Sequence, residues 1–273
     1  MIKLLFKNIY YFFYDVLKIF LNFKKDKQFI ILLPRIFFKI FNKVIIFDKK
    51  NKSFFFQHIR NRYDLLTIYE IFGEQDYNIN KFIEKYELGI TNDLSSKLII
   101  DCGSNIGSSI EFFSRIYPNS RIIGLEPEIN NFNFLKKNIT FKNYLTLNKA
   151  ISSEEKELKL NVNQIDNRSF NITEDNGTDV KSITVENIIK NYSKDYKPFL
   201  IKIDIEGYES KLFKKNFEWI DDFEIIIIEI HDWMLPGQSN SFNFIRALTS
   251  VNNKRDLILS GENLVSIKIN DKK

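Results

Sequence analysis

The sequence predicts a doubly wound α/β domain with an antiparallel hairpin at its C-terminal end and a mainly helical N-terminal extension. Three observations carry that expectation. From Lys97 onward, short apolar runs alternate with stretches of helical periodicity, the pattern of a parallel sheet covered on both faces. The runs are rich in isoleucine and nearly free of charge, as in "FEIIIIEIH", which suits strands buried on both sides. The chain closes on "RDLILSGENLVSIKI", two runs around the turn "SGEN", which predicts one antiparallel strand at the edge of the sheet.

In chain order, "MIKLLFKNIYYFFYDVLKIFLNF" reads as an amphipathic helix, its apolar positions recurring at three- and four-residue steps. Lys3, Lys7, Asp15 and Lys18 interrupt it, so it can lie on a membrane but not span one, and it lacks the small-residue cleavage site of a signal peptide. After "KKDK" comes "FIILLPRIFFKIFNKVIIF", apolar again, with Pro34 as a breaker. "RYDLLTIYEIFGEQDY" reads as a helix ended by Gly73. These stretches divide the chain into a basic, apolar helical extension (1–60), a helical lead-in (61–96) and the main domain (97–273). In that domain "KLIID", "RIIGLE", "YLTLNKAI", "FLIKID" and "FEIIIIEIH" read as strands, and "SSIEFFSRIY", "NNFNFLKKNI", "TVENIIKNY" and "YESKLFKKNFEWI" as helices. "ELKLNV" reads as a hairpin arm and the Asn- and Asp-rich segment 163–179 as a loop or insertion.

Composition narrows the class. With 44% hydrophobic and 27% charged residues over 273 positions, the chain suits one large globular domain with an appendage. It holds no uncharged apolar window of about 18 residues, which argues against a membrane span. The single cysteine, Cys102, excludes an internal disulfide and an all-cysteine metal site, and fits a cytoplasmic protein. The net charge of +5 is uneven: residues 1–60 carry thirteen Lys and Arg against three Asp, a net +10, and the rest carries −5. Two readings follow: a basic subdomain packed on the body, or a peripheral contact of residues 1–60 with anionic lipid at the inner face of a membrane.

The chemistry-bearing residues cluster at strand ends, where doubly wound folds bind ligands. In "LIIDCGSNIGSS", Asp101 ends a strand, Gly103 permits the sharp turn, and Gly107 lets a helix begin close to a ligand. A dinucleotide site would need a third glycine and would not welcome Asp101 beside a pyrophosphate, so a nicotinamide-dependent dehydrogenase is a poor reading. An acid at the turn suits a cationic, amine-bearing ligand, and Glu126, ending the next strand in "GLEPE", suits the hydroxyls of a ribose. Adenosine bearing a sulfonium and an amino acid meets both demands. "KIDIEGYE" places Lys202, Asp204 and Glu206 within five positions beside an apolar strand, costly to bury unless they pair or face a ligand. His231 follows the isoleucine run of the fifth strand, where an imidazole can accept a proton from a hydroxyl near neutral pH. A structural histidine is the competing reading. Asp204, Glu206, Glu229 and His231 are also of the types that bind Mg²⁺ or Mn²⁺, but no metal is assigned.

The series "IIDCGSNIGSS", "IIGLEPEINNFNFLKKN", "NKAIS", "SITVENII", "LIKIDIEGYESKLF" and "IIIIEIHDW" resembles the FkbM-type methyltransferases, over about Arg62 to Trp233. The resemblance implies the seven-stranded class I methyltransferase fold, Rossmann-like, with S-adenosyl-L-methionine as cofactor. It implies that Asp101, Gly103, Asn105 and Gly107 line the methionine side and that Glu126 holds the ribose. Asn105 has a second reading as a helix cap. Asn148 and Ala150 read equally as neighbours of the adenine or as an ordinary strand end. The implied reaction is methyl transfer to a hydroxyl of a sugar, glycan or related small molecule, with His231, Asp204 or Glu206 taking the proton. "DIEG" stands where base-modifying enzymes carry an N-P-P-Y type run, so no DNA partner is expected. The alternative is a noncatalytic scaffold that keeps the cofactor fold and docks through its basic N-terminus.

Overall fold

The structure, a computed structural model, describes residues 27–32, 42–86, 97–162, 170–173 and 177–269. The helix expected over residues 1–23, the Pro34 breaker and most of the Asn-rich segment lie outside the described residues. The chain divides into two compact units, Met1–Asp76 and Tyr77–Lys273, with the boundary inside the expected lead-in.

In the first unit, β1 (Phe29–Ile31), β2 (Lys43–Asp48) and β3 (Ser53–His58) form an antiparallel sheet in the order β1-β2-β3. This corrects the helical reading of residues 1–60 for the part described. "KVIIFD" and "SFFFQH" alternate buried with less buried residues, a period of two that rewards strand pairing. The turn between them closes on buried Asp48, whose carboxylate accepts the backbone N–H groups of Lys50 (3.1 Å) and Asn51 (3.2 Å). Phe29 meets Phe55 and Phe72 edge-on, with centroids 6.1 and 5.3 Å apart. Helix α1 (Arg62–Ile68) starts where Asn61 accepts the N–H groups of Tyr63 and Asp64, and it continues as a π-helical turn over Tyr69–Glu74. Gly73 does not end it: the left-handed terminating residue is Gln75, φ 63°.

The second unit opens with α2 (Asn80–Lys85), and its main sheet has seven strands. Strands β4 (Lys97–Cys102), β5 (Arg121–Leu125) and β6 (Tyr144–Leu147) alternate with α3 (Ser108–Ile116) and α4 (Ile129–Leu135). The chain then builds β7 (Ala150–Ile151), β8 (Glu157–Val162), β9 (Phe170–Thr173), β10 (Thr178–Ile183) and α5 (Val185–Tyr192). β11 (Lys197–Ile203), α6 (Glu209–Leu212), a 3-10 turn (Glu218–Asp222), β12 (Ile225–Glu229), α7 (Asn240–Ser250), β13 (Arg255–Ser260) and β14 (Asn263–Lys268) complete it. The order is β13-β14-β12-β11-β4-β5-β6, with β6, β5, β4, β11 and β12 parallel. Leu98, Ile100, Ile201, Ile203, Ile226 and Ile228 are completely buried in the central strands and share one core with Val185, Ile188, Phe213 and Phe244.

The doubly wound sheet and its closing hairpin are as expected, with one correction: the antiparallel strand is not the edge. β14 runs antiparallel between β12 and β13, and β13 is the end strand. Burial explains the order, because Val265 and Ile267 of β14 are fully buried, whereas Leu257 and Leu259 of β13 are 46% and 80% exposed. The expected strand 144–151 breaks at Asn148–Lys149, and β7 joins a second sheet in the order β7-β10-β8-β9. β9 and β10 occupy part of the segment read as a loop, and the expected helix from Tyr208 is four residues followed by the 3-10 turn. Helix α7 was not anticipated. Among the described residues no helix is long and apolar enough to cross a membrane.

Candidate active site

The carboxyl ends of β4, β5 and β11 meet at a cleft lined by Gly103, Asn105, Leu125, Glu126, Pro127, Asn131, Lys149, Ala150, Ile151, Ile172, Asp204, Ile205 and Glu206. Its floor is a tight backbone approach. The N–H groups of Gly103 and Ser104 both donate to the Leu125 carbonyl, and Asp204 N–H donates to the Cys102 carbonyl at 3.1 Å. Gly103 has φ +84°, and a Cβ there would lie 1.9 Å from the Asp204 carbonyl oxygen. Only glycine fits. Gly107 (φ +84°) is needed for packing rather than lining: its Cβ would meet the Leu135 carbonyl oxygen at 2.9 Å.

Glu126 is 4% exposed and lines the cleft. Its carboxylate accepts the backbone N–H of Asn105 at 2.7 Å and of Glu128 at 2.9 Å. Burial pushes it up to about 7 despite those two donors. Asn105 sits in the left-handed region (φ 45°) and does not cap α3, whose N-cap is Gly107. Its Oδ1 is buried without a hydrogen-bond partner among the described residues, an acceptor in the cleft wall. Ala150 lines the cleft, whereas Asn148 braces it from behind, donating to the carbonyls of Glu126 and Pro127, both at 2.9 Å.

Asp101 is not at the cleft surface. It is fully buried, accepts from Ser109 Oγ at 2.6 Å and lies 3.3 Å from Lys202 Nζ. The parallel register sets Lys202 of β11 beside Asp101 of β4. Lys202 Nζ donates to the Gly103 carbonyl at 2.7 Å, lies 3.4 Å from Asp204 Oδ2, and stands 5.5 Å from the Tyr77 ring centroid. Lys202 is 2% exposed; although burial works against its charge, the surrounding anions hold its pKa well above the usual lysine value. This lysine ties the glycine turn to the end of β11.

A second cluster forms where β12 and α6 reach the same edge. His231 is 2% exposed and lies two residues beyond β12. Its Nδ1 is 2.8 Å from Oε1 of fully buried Glu209 on α6. Its Nε2 faces Glu229 (3.4 Å), Glu206 (3.7 Å) and Asp204 (3.8 Å). Desolvation opposes the imidazolium, but the Glu209 and Glu229 carboxylates outweigh it and raise His231 to about 11. The raised value favours the imidazolium form of this ring, which donates. Glu206 is pushed up to about 8, first by burial and then by Asp204. Asp204, Glu206 and His231 each offer a ligand atom, all within 4.8 Å of one another, so a divalent ion would compete with that proton for the same place.

The structure thus brings Gly103, Asn105, Glu126, Ala150, Asp204 and Glu206 to one cleft, with His231 behind the two acids. Glu209 is a site residue that the sequence analysis does not single out. The signal available was a carboxylate two residues after Gly207, whose backbone N–H it accepts at 3.2 Å. Asn131 and Lys149 line the cleft and carried no sequence signal of their own.

The hexuronic acid methyltransferase AglP of Haloferax volcanii is 23% identical over 176 residues, covering 63% of this chain and 69% of that protein. Among solved structures, the O-methyltransferase from Bacillus cereus in complex with SAH aligns at TM-score 0.40 and 12% identity, covering 72% of this chain and 81% of that one. The precorrin-6y C5,15-methyltransferase from Geobacter metallireducens aligns at TM-score 0.35 and 10% identity, covering 63% and 78%. The methyltransferase FkbM domain family matches residues 101–255, which is more than half of the chain and spans the acids and glycines of the cleft. The protein belongs to the FkbM methyltransferase family.

Proposed function

We propose that the protein is an S-adenosylmethionine-dependent O-methyltransferase acting on a hydroxyl of a sugar, glycan or related small molecule. The observation that carries this reading is the cleft at Gly103, Asn105 and Glu126, which opens directly onto Asp204 and Glu206. Its features suit the cofactor. The glycine turn permits close backbone approach, the orphan Asn105 Oδ1 can accept from an ammonium, and Glu126 can accept from ribose hydroxyls. Asp101 serves indirectly, by holding Lys202 under the turn.

When bound, S-adenosylmethionine supplies a methyl group already activated on a sulfonium. What remains for the chain is to orient an acceptor oxygen, exclude water and take one proton. Because His231 is held as a cation, the proton acceptor among the three candidates is a carboxylate. Glu206, near 8, is matched to work near neutral pH. His231, oriented by Glu209, donates towards Asp204, Glu206 and Glu229 and limits the repulsion among them. A sugar acceptor is supported by the named activity of the Haloferax relative.

The test is calorimetric titration of the purified chain with S-adenosylmethionine and S-adenosylhomocysteine, with Glu126→Ala as control and NAD as competitor. Binding of both sulfur ligands, weakened at least tenfold by the substitution and unaffected by NAD, is expected, roughly the loss of one charged hydrogen bond. No binding by folded protein would leave the scaffold reading.

A further inference from the structure

The hairpin β2–β3 carries an exposed apolar surface. Phe54 and Phe56 are 63% and 48% exposed on the end strand of their sheet, while Phe55 and Gln57 face inward. The register sets Phe47 opposite Phe54 and Ile45 opposite Phe56, so these half-buried side chains extend the same outward face. The Phe47 and Phe54 rings are 4.9 Å apart. Lysines bound the patch: Lys43 Nζ stands 5.9 Å from the Phe56 centroid, and exposed Lys50 and Lys52 occupy the turn at the other end of the hairpin. Asp48, at the end of β2, is buried and holds the turn.

We propose that this hairpin docks the protein peripherally on an anionic lipid surface, with Phe54 and Phe56 in the headgroup–acyl boundary and Lys43, Lys50 and Lys52 among the headgroups. Apolar rings flanked by lysine are the chemistry of interfacial anchors, which need both buried apolar area and attraction to anionic lipid. Charge complementarity selects that partner, since residues 1–60 carry +10 while the remainder of the chain carries −5. A second copy fits less well. Pairing two β3 edges antiparallel would bring lysines of like charge together. Single-stranded nucleic acid fits less well too, because Ile45 shares the patch and offers hydrocarbon rather than a ring on which a base stacks.

The experiment is flotation of the full chain with phosphatidylcholine vesicles, with and without phosphatidylserine, comparing wild type, the pair Phe54→Ser/Phe56→Ser, and the triple Lys43→Gln/Lys50→Gln/Lys52→Gln. Circular dichroism and S-adenosylhomocysteine titration on the same samples establish folding and keep this question apart from the cofactor reading. Binding to the anionic vesicles alone is expected, reduced at least about tenfold by the paired change and by the triple change. Failure of wild type to float with anionic vesicles would overturn the proposal. So would equal flotation of the Phe54→Ser/Phe56→Ser variant, which would place the contact elsewhere in the chain. A concentration-dependent dimer, or binding of a poly-uridine oligonucleotide, that is lost in the same variant while flotation is unchanged would assign the patch to that partner instead.

Discussion

Two groups of buried charge stand at the same edge of the sheet and are built on opposite principles. Around Lys202 one cation is shared by Asp101, Asp204 and the Gly103 carbonyl, and its surroundings raise its pKa as a well-paired ammonium. Around His231 one imidazole faces four carboxylates, Glu209, Glu229, Glu206 and Asp204, and burial together with the neighbouring Asp204 raises Glu206. The first group holds a turn through one shared cation. The second keeps a raised carboxylate at the cleft, which suits the proton transfer that the proposed hydroxyl acceptor would need.

The largest expected effect breaks the comparison at Lys202. Lys202→Met leaves Asp101 buried beside an apolar side chain and should cost about 3–5 kcal/mol of stability, read by urea unfolding. Wild-type stability with lost turnover would instead put the lysine in the chemistry. The next sharpens the other side. Glu206→Gln should lower turnover on an identified hydroxyl acceptor by roughly 10²–10³-fold while S-adenosylhomocysteine affinity stays within about twofold. Since Glu206 must be ionised to accept a proton, wild-type turnover should rise as pH passes up through about 8, and that limb should vanish in the variant. A variant retaining the same limb would move the base to Asp204. The smallest effect concerns Glu209. Glu209→Gln removes the leading favourable partner of the imidazolium, so His231 should titrate below about 11 in ¹⁵N NMR, where His58 is the sole other histidine signal. Turnover should fall only about tenfold, the size of one charged hydrogen bond. An unmoved His231 titration would mean that Glu229 alone holds the ring.

Much of this was legible because it is local. A strand ending in Asp101, a glycine at 103 and an acid at Glu126 are short-range patterns, and the backbone geometry that demands glycine there operates over a few bonds. The isoleucine run of β12 announced a strand buried on both faces, and it is. The three strands of residues 29–58 were read as helix because rows of Ile, Phe and Lys satisfy a helical period as well as an alternating one. What arbitrated was the pairing of "KVIIFD" with "SFFFQH", a contact between segments.

The sequence by itself therefore determined the alternation of strands and helices, the glycine turn and the acids placed at strand ends, since each depends on the conformational limits and burial preferences of neighbouring residues. Only the tertiary structure decided which charges meet. Lys202 reaches Asp101 through the parallel register of β11 on β4, and Glu209 reaches His231 because α6 returns over the end of β12. A proton's resting place depends on distances of a few ångströms between groups far apart in the chain. Those distances belong to the packed sheet, and they set the raised pKa values of His231 and Glu206.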